Sequence, residues 1–308
     1  MWDNRAMRIS AFLLLLCACG SGSTSSQPLA GPASAPDPVP AAPAALGFVP
    51  ADATAVFHLD LRVLMRLAAG SRMDQAIDQL AQVSPACDRK LLGGVETVTF
   101  AFRQLERPDQ LVLRLRGQLE RAQVQKCLEG IAAAVNVFSV SSKDEDLVLG
   151  DAAGEERMVV RWQEGGVLVG PRADLARTAG PANPALKDAI SRVSRLDIAM
   201  WMAMERSQNH LGPTTFEAMA DDGMRLRFAV RYDANENVES ETRRAIDDMT
   251  KGFLEGAAAK GAAFDASSLG ERVKVAVDGR WGLAEAHWTA AEVTDFATRI
   301  AEAMAAKQ

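Results

Sequence analysis

The sequence predicts an α+β fold: antiparallel sheets with helices packed on one face, arranged as two similar halves in tandem. Three observations point there. Short runs alternate apolar and polar residues at the period of a strand, longer runs between them carry helical periodicity, and the order strand, strand, helix, hairpin, helix occurs twice.

In the first half, VETVTFAF (95–102) and QLVLRLRG (110–117) alternate as strands, a helix spans about 119–134, Glu164-Gly165-Gly166 turns a hairpin, and a helix starts near 171. In the second, LDIAMWMAM (196–204) and MRLRFAVRY (224–232) are the strands and a helix covers about 236–256. Asp278-Gly279 between alternating runs is a two-residue hairpin signal. Thr289-Ala-Ala-Glu292 is a capping box that opens a last helix with the stripe Val293, Phe296, Ile300 and Met304. Ahead of both halves, FVPADATAVFHLDLRVLMRL alternates at Ala55, Phe57 and Leu59, with Asp60 placed to cap a following helix, and a second amphipathic piece covers about 72–82. These elements divide the body into units at 47–195 and 196–308.

The first 46 residues follow different rules. Arg5 and Arg8 precede an apolar run, Ile9 to Leu16, too short to span a bilayer, which needs roughly 20 residues. Leu16-Cys17-Ala18-Cys19 then places Leu three residues before Cys19 and a small residue directly before it. This pattern resembles the lipobox of bacterial lipoproteins. The resemblance implies a signal peptide over 1–18, cleavage before Cys19, and acylation of the Cys19 thiol. Gly20, with no Asp at that position, is similar to the outer-membrane default of Gram-negative lipoproteins. From Cys19 to Leu46 the chain is rich in Pro, Ala, Ser and Gly, with no Lys or Arg, and predicts a disordered tether that reaches roughly 80 Å when extended. Val49-Pro50-Ala51-Asp52-Ala53 before a strand resembles the opening of uncharacterised bacterial envelope proteins.

Composition excludes some functions. A formal net charge of -6 leaves no general footprint for nucleic acid. The sequence contains no CxxC, no HExxH, no GxSxG elbow, no P-loop and no dinucleotide-binding glycine fingerprint, so no metal, cofactor or catalytic residue is expected. Asp233-Ala-Asn235-Glu-Asn237 begins like a calcium loop, but Val238 and Arg244 stand where a glycine and a bidentate Glu are needed. Asp144-Glu145-Asp146 and Asp221-Asp222-Gly223 read as surface turns.

Three features remain as candidate sites. Cys87 and Cys127 are the cysteines left in the body, and Cys127 lies on the helical stripe Val124, Cys127, Leu128, Ile131: a buried hydrophobe or half of a disulfide. His58 and Asp60 share a strand face and offer a base and a carboxylate. Arg225, Arg227 and Arg231 share the face opposite Met224, Leu226, Phe228, Val230 and Tyr232. With Arg114, Arg116, Arg272 and Lys274 they form a basic face, free for an anionic partner or neutralised by neighbouring acids. The function expected is a lipid-anchored envelope lipoprotein of the outer membrane, facing the periplasm or the cell surface, with a non-catalytic binding or structural body. Its partners are the membrane, through the N-terminal lipid, and a protein or envelope component. The alternatives are a carrier of an apolar ligand held between sheet and helices, and an envelope hydrolase using His58 and Asp60.

Overall fold

Alternation and turn chemistry build two antiparallel units, Leu46–Asn183 and Pro184–Gln308. The computed structural model describes residues 46–66, 78, 81–82, 84–104, 110–194, 198–205, 212–220, 223–232, 237–259, 273–289 and 291–292. The signal segment, Cys19, the tether up to residue 45, His210, Arg272, residues 221–222 and 233–236, and most of the segments 72–82 and 290–308 lie outside these.

The first unit runs β1 (Ala55–Asp60), α1 (Leu61–Arg66), α2 (Arg89–Gly93), β2 (Val95–Phe102), β3 (Leu111–Gly117), α3 (Arg121–Val135), β4 (Phe138–Lys143), β5 (Asp146–Asp151), β6 (Glu156–Gln163), β7 (Gly166–Gly170) and α4 (Arg172–Leu175). Its strands lie in the order β1-β2-β3-β7-β6-β5-β4, each antiparallel to its neighbour. One face packs against α3: Leu147, Val160 and Val167 are buried there with Leu115, Leu119, Leu128 and Trp162 around them. Cys87, Leu91 and Cys127 close the outer side of α3 with Val124 and Ile131. Cys87 and Cys127 form a disulfide, Cα–Cα 4.7 Å, that ties the segment before α2 to α3. The opposite sheet face is also buried. Val56, Ala101, Val112, Val159 and Val148 lie on that face, all at 7% exposure or less.

The second unit runs α5 (Pro184–Ser191), β8 (Met200–Met204), β9 (Thr214–Met219), β10 (Gly223–Arg231), α6 (Val238–Ala259), β11 (Lys274–Asp278) and β12 (Trp281–Thr289). The strand order is β8-β9-β10-β12-β11, again antiparallel throughout. Asn237 Oδ1 accepts from the Ser240 amide at 3.2 Å, the N-cap that starts α6. Asp278 pairs with Trp281 across the expected hairpin, whose Gly279 has φ +60. Gly282 lets α6 come close: a Cβ there would overlap the Thr242 side chain. The capping box is formed, with Thr289 N and Oγ1 each 2.9 Å from Glu292 Oε2.

The α+β class with antiparallel sheets is what the sequence predicts, but three expectations change. Helices do not keep to one face. In the first unit α3 and α4 lie on opposite faces, and in the second α5 lies on the Arg231 face while α6 lies on the Gly282 face. The helix expected from 171 is two helices, because Gly180 and Pro181 interrupt it, and α5 packs with β8 and β9 of the second unit. The unit boundary therefore precedes residue 195 and falls at Asn183–Pro184. Two strand regions also go unpredicted: the β4–β5 hairpin, whose outer strand is rich in serine, and β9, a six-residue run that opens on Thr214 and Thr215 and alternates only briefly.

Because the bridge closes a loop of sequence separation 40, replacing both Cys87 and Cys127 by Ala should lower stability by about 3 to 4 kcal/mol. Urea unfolding of the double variant beside wild type, with and without reductant, measures this. Reductant should shift the wild-type midpoint and leave the variant unmoved.

Candidate functional site

The polar residues that alternation assigns to solvent form rows across the sheets. In the first unit His58, Thr99, Arg114, Leu168 and Arg161 are successive cross-strand neighbours on β1, β2, β3, β7 and β6. Each is partnered inside the unit. His58 Nδ1 lies 2.8 Å from Thr99 Oγ1. The Arg114 guanidinium stacks 5.4 Å from the Phe48 ring centroid, and burial, with Arg116 nearby, pulls its pKa down. Arg161 makes a fork with Asp146, Nε–Oδ1 3.1 Å and Nη2–Oδ2 2.9 Å, and Arg172 of α4 reaches the same carboxylate at 3.0 Å. The Arg161 hydrogen bond holds the Asp146 carboxyl below its ordinary range against the opposing pull of burial, and Arg172 adds to it. Asp146 is therefore buried, at 5% exposure, and not the surface turn residue expected; only Asp144 and Glu145 are exposed.

His58 and Asp60 do share a face, but Asp60 is occupied as a cap and a counter-ion. It accepts from the Val63 amide at 3.2 Å and from Arg62 Nη2 at 2.7 Å. Burial alone would raise the Asp60 carboxyl, yet the Arg62 and Val63 hydrogen bonds keep it below its ordinary range. Burial pushes His58 down from 6.5 to about 4 against the attraction of Asp60, with Arg116 and Arg62 acting in the same direction as burial. An imidazole so held is neutral near pH 7 and a weak base.

The basic face of the second unit is neutralised. Trp201, Glu217, Arg227, Glu285 and Lys274 are successive cross-strand neighbours on β8, β9, β10, β12 and β11, so charge alternates across four strands. Glu217 is fully buried, with Arg227 Nη1 3.1 Å from Oε1 and the Ser194 amide and hydroxyl both donating to Oε2, the amide at 3.0 Å. Arg225 lies 3.7 Å from Glu285, and Arg231 pairs with Asp188 of α5. Arg225, Arg227 and Arg231 thus form no free cationic patch. α5 and the turn after it reach Arg231 and Arg227 on this face, while Arg225 and Glu285 stay partly exposed, and Arg192 stacks 5.0 Å from the Trp281 ring centroid. A buried pair such as Glu217–Arg227 adds little net stability, but losing Arg227 alone would strand a buried charge at about 3 to 5 kcal/mol.

The other face of this sheet is apolar and unusually rich in methionine. Met200, Met202, Met204, Phe216, Leu226 and Phe228 share it and are all half-buried, while Ala284 and Ala286 are buried beside them. The alternation of 224–232 foretold this face, but its extension over β8 and β9 depends on β9, which the sequence did not disclose. Among the described residues, no group of three or more His, Cys, Asp or Glu could hold a metal ion.

His58 sets a pH dependence. Its folded pKa, about 4, lies below its unfolded value of 6.5, so between those values the unfolded chain binds more protons and stability falls as pH falls. The loss amounts to at most about 3 kcal/mol over that window. In urea titrations from pH 7 to 4, His58→Gln should flatten this slope. The further loss at lower pH, from Asp60 and Asp146, whose carboxyls are held below their ordinary range, should remain.

No family model matches the sequence, and no curated protein matches it. Among solved structures the chain is similar to one described as crystal form I of TP0453, at 12% identity and a TM-score of 0.43, covering 84% of this chain and 96% of that one.

Proposed function

We propose that this chain is a bacterial lipoprotein, held on the outer membrane by acyl chains on Cys19, with a body that binds or scaffolds and does not catalyse. The observation that carries this reading is the Cys87–Cys127 bridge. Disulfides persist in oxidising compartments outside the cytoplasm, the destination that the lipobox implies. The non-catalytic part draws support from the charged groups: Asp60, Asp146, Glu217 and the three arginines of β10 each have a partner within their own unit.

The reading includes an internal duplication. The order β1-β2-β3-β7-β6 in the first unit matches β8-β9-β10-β12-β11 in the second, and a long helix follows the third strand in both. In this alignment β1 corresponds to β8 and β2 to β9, and the β4–β5 hairpin is an addition to the first half.

Cells grown with labelled palmitate should incorporate it into the wild-type chain and not into Cys19→Ala, and the variant should leave the membrane fraction. An unlabelled wild-type chain would sink the anchor.

A second reading, carriage of an apolar ligand, is favoured by the methionine-rich face of β8, β9 and β10. Methionine is flexible and polarisable and adapts to acyl chains of varied shape. Under this reading the purified protein binds a fluorescent fatty acid. Met202→Glu should then weaken binding severalfold while Ser142→Glu, on β4, leaves it unchanged. Equal binding by both variants would remove the carrier reading.

A further inference from the structure

β11, Lys-Val-Ala-Val-Asp over Lys274–Asp278, is the outer strand of the second unit's sheet and pairs, among the described residues, only with β12. A strand in that position presents a row of backbone N–H and C=O groups to solvent. Natural proteins guard such a row with short strands, charged side chains, prolines, bulges or inward-pointing charges; β11 is short and begins with Lys274. Its interior holds no proline, bulge or charge: its register with β12 is unbroken, its charges sit at its two ends, and its middle is Val275, Ala276 and Val277. Val277 is 47% exposed, which makes it one of three large apolar side chains left open among the described residues.

The sequence of the strand is complementary to itself. Laid antiparallel on a second β11 about a two-fold axis through Ala276, Lys274 of one copy stands opposite Asp278 of the other, and Val275 opposite Val277. Both charge pairs form at once, by symmetry. The faces agree as well. Lys274 and Asp278 lie on the side that carries Glu285 and Trp281, while Val275 and Val277 lie on the side of Ala284 and Gly282. The paired strands would therefore extend the charged row with charges and the apolar face with valines. Asp278 is 60% exposed even while it meets Arg192, so its carboxylate has room for a second cation. The edge of the other unit lacks this property: in β4, the same operation about Val140 puts Lys143 opposite Val137.

We infer that β11 is a self-association edge, through which two copies of this chain join antiparallel, β11 to β11, into one continuous sheet with Lys274–Asp278 pairs at both ends of the joint.

The test uses the full chain in intact cells. Ala276→Cys places a thiol on the two-fold axis, where directly opposite Cβ atoms come within disulfide range. On treatment with copper phenanthroline it should yield a disulfide-linked dimer, at least severalfold above Glu164→Cys at the exposed β6–β7 turn. Adding Lys274→Asp, which sets Asp against Asp, or Asp278→Lys, which sets Lys against Lys, should lower the yield by about tenfold. The double exchange Lys274→Asp with Asp278→Lys should restore it, which separates pairing from any damage to the fold. A yield from Ala276→Cys no higher than from Glu164→Cys would overturn the inference. So would a yield indifferent to the charge changes, or a crosslink to a different protein.

Discussion

Burial of both faces of an antiparallel sheet is the constraint from which the other features follow. An antiparallel sheet ordinarily keeps one wet face, and its polar residues need no partner but water. Here Val56, Ala101 and Val112 are buried on one face of the first sheet, while Leu147, Val160 and Val167 are buried on the other. In the second unit Glu217 is buried among charges on the face that carries α5. Polar side chains caught on covered faces must find partners within the protein or bear the full desolvation penalty. That requirement orders the charges into rows. Asp146 holds Arg161 and Arg172, and Glu217 holds Arg227 and Ser194.

The same constraint bears on function. A carboxylate or imidazole becomes catalytic when its environment leaves it poised and reachable, as a perturbed group in a cleft does. His58 is perturbed, but by burial and cationic neighbours that lower its basicity, and Asp60 next to it is held by a guanidinium and a helix amide. Their chemistry stabilises one arrangement of strands. The features that carry no interior charge are the half-buried methionine-rich face of β8 to β10, the face on which α6 also packs, and the outer edge at β11. An apolar face suits an apolar partner, and an open strand edge suits an extended one.

The lipid anchor proposed at Cys19 would change what such an edge can do. A body confined near a surface by the proposed anchor would self-associate at a high effective concentration, so that even weak pairing would gain. Two short charge pairs and two valine contacts per joint suit that regime better than a large obligate interface.

The sequence by itself determined a great deal locally. Alternation located β2, β3 and β10 within a residue or two, helical periodicity located α3 and α6, Asp278-Gly279 located the last hairpin, and Thr289 with Glu292 located a cap. These succeed because each depends on neighbours close in the chain: backbone period, turn chemistry and capping hydrogen bonds. What only the tertiary structure decided were matters of pairing across distance. β9 carries its alternation on Phe216 and Ala218 alone, too short a run to announce a strand, and its Glu217 can be buried only because Arg227 on β10 and Ser194 after α5 satisfy that carboxylate. Asp146 looks like a turn residue until Arg172, which follows β7, arrives to bury it. The arginines of β10 look like a docking patch until Asp188 and the neighbouring strands neutralise them. Periodicity states which side of a strand a residue occupies. Whether that side meets water or another layer depends on residues remote in sequence, and no local pattern contains them.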